Sequence, residues 1–305
     1  MLRKRLAVLA VAGTAAVTLA ACGGGGDPLS GDSGEQPAQD TIAVGSANFS
    51  EAVLLGEMYA QALQAEGLKV EKKLNIGSRE VYIPAVQDGS IDLVPEYTGN
   101  LLLYFDKDAT QTESEQVDAA LRKALPDDLI ALEKSEAVDE DAIVVRKETA
   151  QKYDLTTIAD LKPVASQLVV GGSPEFRERK AGLQGLEEVY GLKFKEYKTL
   201  DTAGPITVEA LKSGEVDVSQ LFTTQSAITE NDFVVLEDPK HIHIAQNIVP
   251  LVRESKANDT VKSVLNKISA ALTTENVTEM VRRIDVDHEN AEAVAKDFLS
   301  QQGML

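Results

Sequence analysis

AVQDGSIDLVPEYTG (Ala85–Gly99) and ALKSGEVDVSQLFTT (Ala210–Thr224) are two versions of one phrase. Ala85/Ala210, Gly89/Gly214, Ile91/Val216, Asp92/Asp217, Tyr97/Phe222 and Thr98/Thr223 all match at a spacing of 125 residues. Each copy reads as a short helix stopped by Gly, then a strand that ends on an aromatic residue and a hydroxyl. Two more anchors surround it. Gly45-Ser46 and Phe49 answer Gly172-Ser173 and Phe176 at 127 residues, and Gly67-Leu68-Lys69 answers Gly191-Leu192-Lys193 at 124. Matches at nearly one spacing predict two lobes built to one plan.

Outward from these anchors the pattern alternates. Thr41–Val44 predicts a buried strand. The next helix has Asn48 as N-cap, Glu51 three residues later, and apolar positions at Val53, Leu54, Met58, Ala62 and Leu63. Strand, helix and strand follow in 69–97, and the order recurs from Gln167. An α/β chain of this kind implies mostly parallel sheets with right-handed crossovers. DAIVVRKE (Asp141–Glu148) and HIAQNIVPLVR (His243–Arg253) are candidate crossings between lobes, with 260–299 a helical tail on the first. The expected organisation is lobe A over 41–142 and 246–305, and lobe B over 143–245.

The N-terminus stands apart. Arg3, Lys4 and Arg5 precede a 16-residue apolar run ending in Leu-Ala-Ala-Cys, with Cys22 the only cysteine. Residues 1–22 read as an export signal and 23–40, rich in Gly, Ser, Pro and Asp, as a flexible tether. Net charge is −19 over 305 residues, with 49 acidic against 30 basic side chains, which argues against nucleic-acid binding.

In open α/β sheets ligands sit beyond the carboxyl ends of strands. Tyr97-Thr98, Phe222-Thr223 and the helix starts at Asn48 and Pro174 all lie there, so facing lobes would enclose a small molecule. Enzyme chemistry finds little support. The three histidines (His241, His243, His288) have no accompanying cysteine cluster for a metal, and no nucleophile elbow, phosphate loop or dinucleotide fingerprint occurs. No cofactor is expected.

GSANFSEAVLLGEM, GSIDLVPEYTGN, GSPEFRERKAGLQGLEEVYGL, DVSQLFTT and VVLEDPKHIHIAQNIVPLVR together resemble the substrate-binding lipoproteins of osmoprotectant ABC transporters, over about 41–300. Leu-Ala-Ala-Cys similarly resembles a lipobox, which would make Cys22 the lipidated first residue of the mature chain. The resemblance implies a two-lobed binding-protein fold of type II with two hinge crossings. It also implies a monomer, lipid-anchored on the outer face of the cytoplasmic membrane, that hands glycine betaine, choline, carnitine or a related solute to a permease with its ATPase. Such sites box a methylated cation with tyrosines, because aromatic faces replace water that the cation cannot hydrogen-bond. Here Tyr97 fits, whereas Asp141 and Gln246 stand where tyrosines are expected and Phe222 replaces a hydroxylated ring.

The expected lining is Asn48, Phe49, Ser50, Tyr97 and Thr98 from the first lobe and Phe176, Phe222, Thr223 and Gln225 from the second. Asp141 and Gln246 are placed at the hinge, and Arg177 is a candidate partner for a ligand carboxylate. Phe49 and Phe176 are equally compatible with hydrophobic staples, and Asn48 and Ser50 with capping. A neutral hydroxylated ligand (a sugar or polyphenol) and a non-transport sensor lipoprotein are the alternatives.

Overall fold

The computed structural model describes residues 41–305. The signal, lipobox and tether assigned to 1–40 lie outside them. The first half runs β1 (Thr41–Ala47), α1 (Ser50–Ala65), β2 (Lys69–Gly77), α2 (Arg79–Gln87), β3 (Leu93–Tyr97), α3 (Thr98–Phe105), α4 (Ser114–Ala124) and β4 (Leu129–Ala131). The chain crosses over as β5 (Asp141–Val145), followed by α5 (Lys147–Tyr153), β6 (Val169–Gly172), α6 (Leu183–Tyr190), β7 (Glu196–Thr199), α7 (Pro205–Ser213), β8 (Val218–Phe222), α8 (Ala227–Glu230) and β9 (Val234–Val235). It returns as β10 (Ile248–Arg253) and closes with α9 (Asp259–Ala271), α10 (Thr274–Asp285) and α11 (Ala291–Gln301).

Two five-stranded sheets result, ordered β2-β1-β3-β10-β4 and β7-β6-β8-β5-β9. In each, three strands are parallel and the crossing strand joins antiparallel, β10 against β3 and β5 against β8. The two sheets are the same diagram drawn twice. Alternation along the crossing strands explains why both faces are covered. In β10, Ile248 and Val252 face the core made with α1 and α9–α11, while Val249 and Leu251 face the core made with α2–α4. In β5, Ile143 and Val145 face one core of the second lobe and Ala142 and Val144 the other. The helical tail therefore packs on the first sheet, although β5 already belongs to the second sheet from Asp141.

The repeated phrase has a physical basis. Gly89 and Gly214 end their helices at φ +85° and +81°, a left-handed turn that favours glycine. Next, Ile91 and Val216 donate their N–H groups back to Ala85 and Ala210. The following aspartates then bind the first strand of their own sheet. Asp92 accepts the Ala43 N–H at 2.9 Å and Asp217 the Val169 N–H at 2.9 Å. Each also meets an arginine at the far end of the crossing strand, Arg253 at 3.3 Å and Arg146 at 3.2 Å. Gly-x-x-Asp thus locks strand, turn and crossing strand together, once per lobe.

Candidate functional site

The end of the phrase is where the lobes meet. Thr98 donates its backbone N–H to the Asn247 carbonyl (3.0 Å), and its Oγ1 accepts the Asn247 N–H (3.1 Å). Thr223 does the same with Glu140, at 3.0 and 2.9 Å. The repeated threonines therefore clamp the two crossings, which pair antiparallel through Val138 and Asn247. They are hinge ties rather than lining groups. The aromatic before each threonine is left pointing into the seam between lobes.

Phe49, at the N-terminus of α1, collects both of these rings. Its centroid lies 6.0 Å from Tyr97 on β3 and 4.8 Å from Phe222 on β8, so one ring of each lobe is in contact with it. Helix α1 starts at Ser50 with Phe49 as N-cap and no side-chain capping bond. Asn48 is thus not the cap that its position predicts, and it lines the seam instead. Around the rings lies a space of about 40 Å³, also lined by Ser78, Arg79, Asn100, Asp139 and Asp141. That volume holds about three waters, so Phe49 and Phe222 must part to admit a solute. It shares lining residues with two wider clefts, Phe49 and Phe222 with one of about 620 Å³ and Arg79 and Asn100 with one of about 700 Å³.

Asp139, Asp141 and Glu175 all line this space, and Asp141 is the one held by side-chain amides. Asn100 donates to its Oδ2 at 2.7 Å and Gln220 donates to its Oδ1, so amides from both lobes orient it. Nearby, Arg79 is buried and forks onto Glu96 at 2.8 and 2.7 Å. Glu96 further accepts from the Tyr82 hydroxyl (2.7 Å) and the Tyr97 N–H (2.9 Å). The Arg79 charge is thereby committed to Glu96, and the pair fixes the end of β3 on which Tyr97 stands. Tyr97 in turn donates its hydroxyl to Glu51 (2.7 Å). Burial raises that phenol well above its usual range, with the Glu51 and Asp139 charges adding to it, so it stays a donor at every accessible pH. On the rim, Arg179 of the second lobe forks onto Glu80 of α2 at 3.0 and 2.7 Å.

Of the twelve residues read from the sequence as lining, the structure brings Asn48, Phe49, Tyr97, Asp141 and Phe222 together. Ser50 and Gln225 face the adjoining cleft, where Gln225 accepts the Phe222 N–H at 2.9 Å. Phe176 is buried in the second lobe's core, stacked on Tyr197 at 6.5 Å, and Arg177 lies over that same tyrosine at 5.6 Å. Gln246 is buried at the hinge, where its Oε1 accepts the Asn100 N–H at 2.9 Å. Sequence reasoning passed over Arg79, Asn100 and Asp139. Asn100 directly follows the Glu-Tyr-Thr-Gly run and was within reach, whereas nothing local marks Arg79 or Asp139.

Among the described residues no group of side chains is arranged to hold a metal ion, and no helix is long and apolar enough to cross a membrane. Two sheets of one topology, two crossings, and aromatic faces with a carboxylate in the seam define a solute-binding protein of the two-lobed type II class. The chain belongs to a family within it, the substrate-binding domains of ABC-type glycine betaine transport systems, whose profile matches residues 40–301. It is similar to the glycine betaine-binding protein YehZ of Escherichia coli, 29% identical over 280 residues, covering 87% of this chain and 92% of that protein. It is also similar to the carnitine transport binding protein OpuCC of Listeria monocytogenes, 25% identical over 270 residues and covering 86% and 87%. The solved structure of apo YehZ superposes with a TM-score of 0.59 at 27% identity, over 87% of this chain and 99% of that one.

Proposed function

We propose that this protein is the extracytoplasmic receptor of an ABC importer. It takes a quaternary-ammonium or betaine-type osmolyte between Phe49, Tyr97, Phe222 and Asp141 and delivers it to a permease. The convergence of three rings, from the N-cap of α1, β3 and β8, on a space that Asp141 also lines carries this reading. Aromatic faces and a fixed negative charge suit a cation that cannot donate hydrogen bonds. Asp141 and Gln246 stand where the cage would have tyrosines, so the Asp141 carboxylate supplies part of what aromatic surface does not. Family membership and the names of the relatives point to the same solutes.

Capture and closure are one equilibrium in this scheme: the lobes, about 41–142 with 246–305 and 143–245, rotate about the crossings at 139–141 and 245–248. Asp141 and Ala142 pair with β8 and travel with the second lobe. The receptor works as a monomer, catalyses no reaction, and is held to the outer face of the membrane by a lipid on Cys22. Intact-mass measurement of the membrane-extracted protein should give an acylated chain starting at Cys22, and Cys22→Ala should abolish that species.

Titration calorimetry against glycine betaine, choline, carnitine and a sugar panel tests the ligand class. Asp141→Asn should weaken cationic solutes by about tenfold, the scale of one enclosed charge contact. Binding to none of the quaternary amines by the native protein would end the osmolyte reading. An effect of Gln246→Ala with a silent Asp141→Asn would instead point to a neutral hydroxylated ligand.

A further inference from the structure

Behind the Tyr97 ring lies a pair of acidic side chains whose hydrogen-bond partners among the described residues are neutral hydroxyls and amides. Glu51, in the first turn of α1, and Asp139, at the crossing into β5, are 2% and 4% exposed. Tyr97 donates to Glu51 Oε1. From the second lobe, Thr224 Oγ1 reaches Glu51 Oε2 at 2.7 Å and Asp139 Oδ1 at 3.0 Å, and the Thr224 N–H donates to the same Asp139 oxygen at 3.1 Å. The other charges felt by the pair are also acidic, Asp285 of α10 toward Glu51 and Asp141 toward Asp139. Arg79 is committed to Glu96.

A hydroxyl carries one hydrogen and cannot donate to two carboxylates at once. With both acids ionised, one of the two Thr224 contacts would set lone pair against lone pair. Two negative charges would also be buried side by side, and among the described residues neither carboxylate accepts a hydrogen bond from a cation. One additional hydrogen removes both difficulties. Placed between Glu51 and Thr224, it lets Thr224 donate onward to Asp139, and every contact then has its own hydrogen.

We propose that Glu51 and Asp139 are positioning residues that together hold one proton in the closed protein, and that closing the lobes over a solute takes this proton up. Thr224 brings the second lobe's half of the contact, and Glu51 transmits it to the Tyr97 ring through the phenol hydroxyl. Burial raises both carboxyls, and the Glu51 charge raises Asp139 further. Opening withdraws Thr224 and admits water, so both groups return toward the ordinary carboxylate range and release the proton. Because the closed-state values are the raised ones, support for closure is complete below the ordinary range and is lost as pH rises through the closed-state value. Asp141 is held separately, by Asn100 and Gln220, and lines the space proposed for the solute.

The ligand half of this proposal rests on the solute-receptor reading, and the test separates the two. Small-angle scattering of the solute-free protein from about pH 5 to about pH 9 should show the radius of gyration rising with pH. Glu51→Gln and Asp139→Asn should each flatten that response. Calorimetry with glycine betaine as the probe, in phosphate and in Tris, should give heats that differ by the buffers' ionisation enthalpies, approaching one proton per solute. Affinity should fall with pH by up to about tenfold per unit. Thr224→Val keeps both acids and should lessen closure at every pH. Native heats independent of buffer with a radius independent of pH would overturn the proposal, as would a native pH slope surviving in both carboxamide variants. Absence of any glycine betaine heat would count against the solute reading alone, leaving the scattering series to decide the proton.

Discussion

Arg179→Gln tests closure at an ion pair on the rim of the space the rings line. Arg179 reaches across the seam to Glu80 with two charge-assisted bonds. Burial alone would raise the Glu80 carboxyl, yet the Arg179 bond and charge, with smaller local bonds, bring it from 4.5 down to about 2. That difference corresponds to about 3 kcal/mol. Only part of it belongs to closure. The bonds from the backbone and from Ser78 stay when the lobes separate, and the two side chains are 29% and 45% exposed, so solvent screens the pair. About 1 kcal/mol remains, or about fivefold in the ratio of closed to open protein.

Since apparent affinity scales with the competent fraction, glycine betaine should bind Arg179→Gln about fivefold more weakly at low salt. The gap should shrink toward twofold near about 0.5 M salt, where the Debye length falls to a few ångström. The sign of the pH dependence is opposite to that of the Glu51/Asp139 pair. A depressed carboxyl contributes above the ordinary value and loses its contribution only as pH falls through about 2. The Arg179 effect should therefore be constant from about pH 5 to about pH 9. Equal affinities at low salt, or a gap undiminished at high salt, would refute the argument.

Other expectations are simpler to state. Gly89→Ala should lower the urea midpoint more than Gly214→Ala. Both force a left-handed residue at a cost of about 1–2 kcal/mol, but a Cβ at Gly89 would meet Arg253 Nη1 at 2.5 Å, against 3.4 Å to Arg146 for Gly214. Glu96→Gln leaves the buried Arg79 charge without its partner and should cost about 3–5 kcal/mol of stability in the same assay. Thr98→Val and Thr223→Val should each raise amide exchange across the crossings while leaving the lobe cores protected, since each removes one hinge tie.

What the sequence determined by itself was the plan. Helix-stopping glycines, alternating strands and the doubled Gly-x-x-Asp phrase are local or periodic signals, governed by backbone conformation and by which face of each element must be buried. They were sufficient to announce two α/β lobes, two crossings and a cleft with Tyr97 and Phe222 facing it. The roles of side chains at the cleft were decided only by tertiary structure. Thr98 and Thr223 sit beside the aromatics in sequence, yet each falls just past the end of its strand, where its backbone and hydroxyl bond the crossings instead. Phe176 matches Phe49 in the repeat, but the chain after β6 makes a 3-10 turn (Glu175–Arg177) rather than a helix, and the ring drops into the core. Glu51 looks like a first-turn acid complementing its helix. Only the approach of Thr224, 173 residues away, and of Asp139 gives it a second carboxyl to share a hydrogen with. Contacts across a seam depend on how two separately folded surfaces meet, and no periodicity within either surface encodes that meeting.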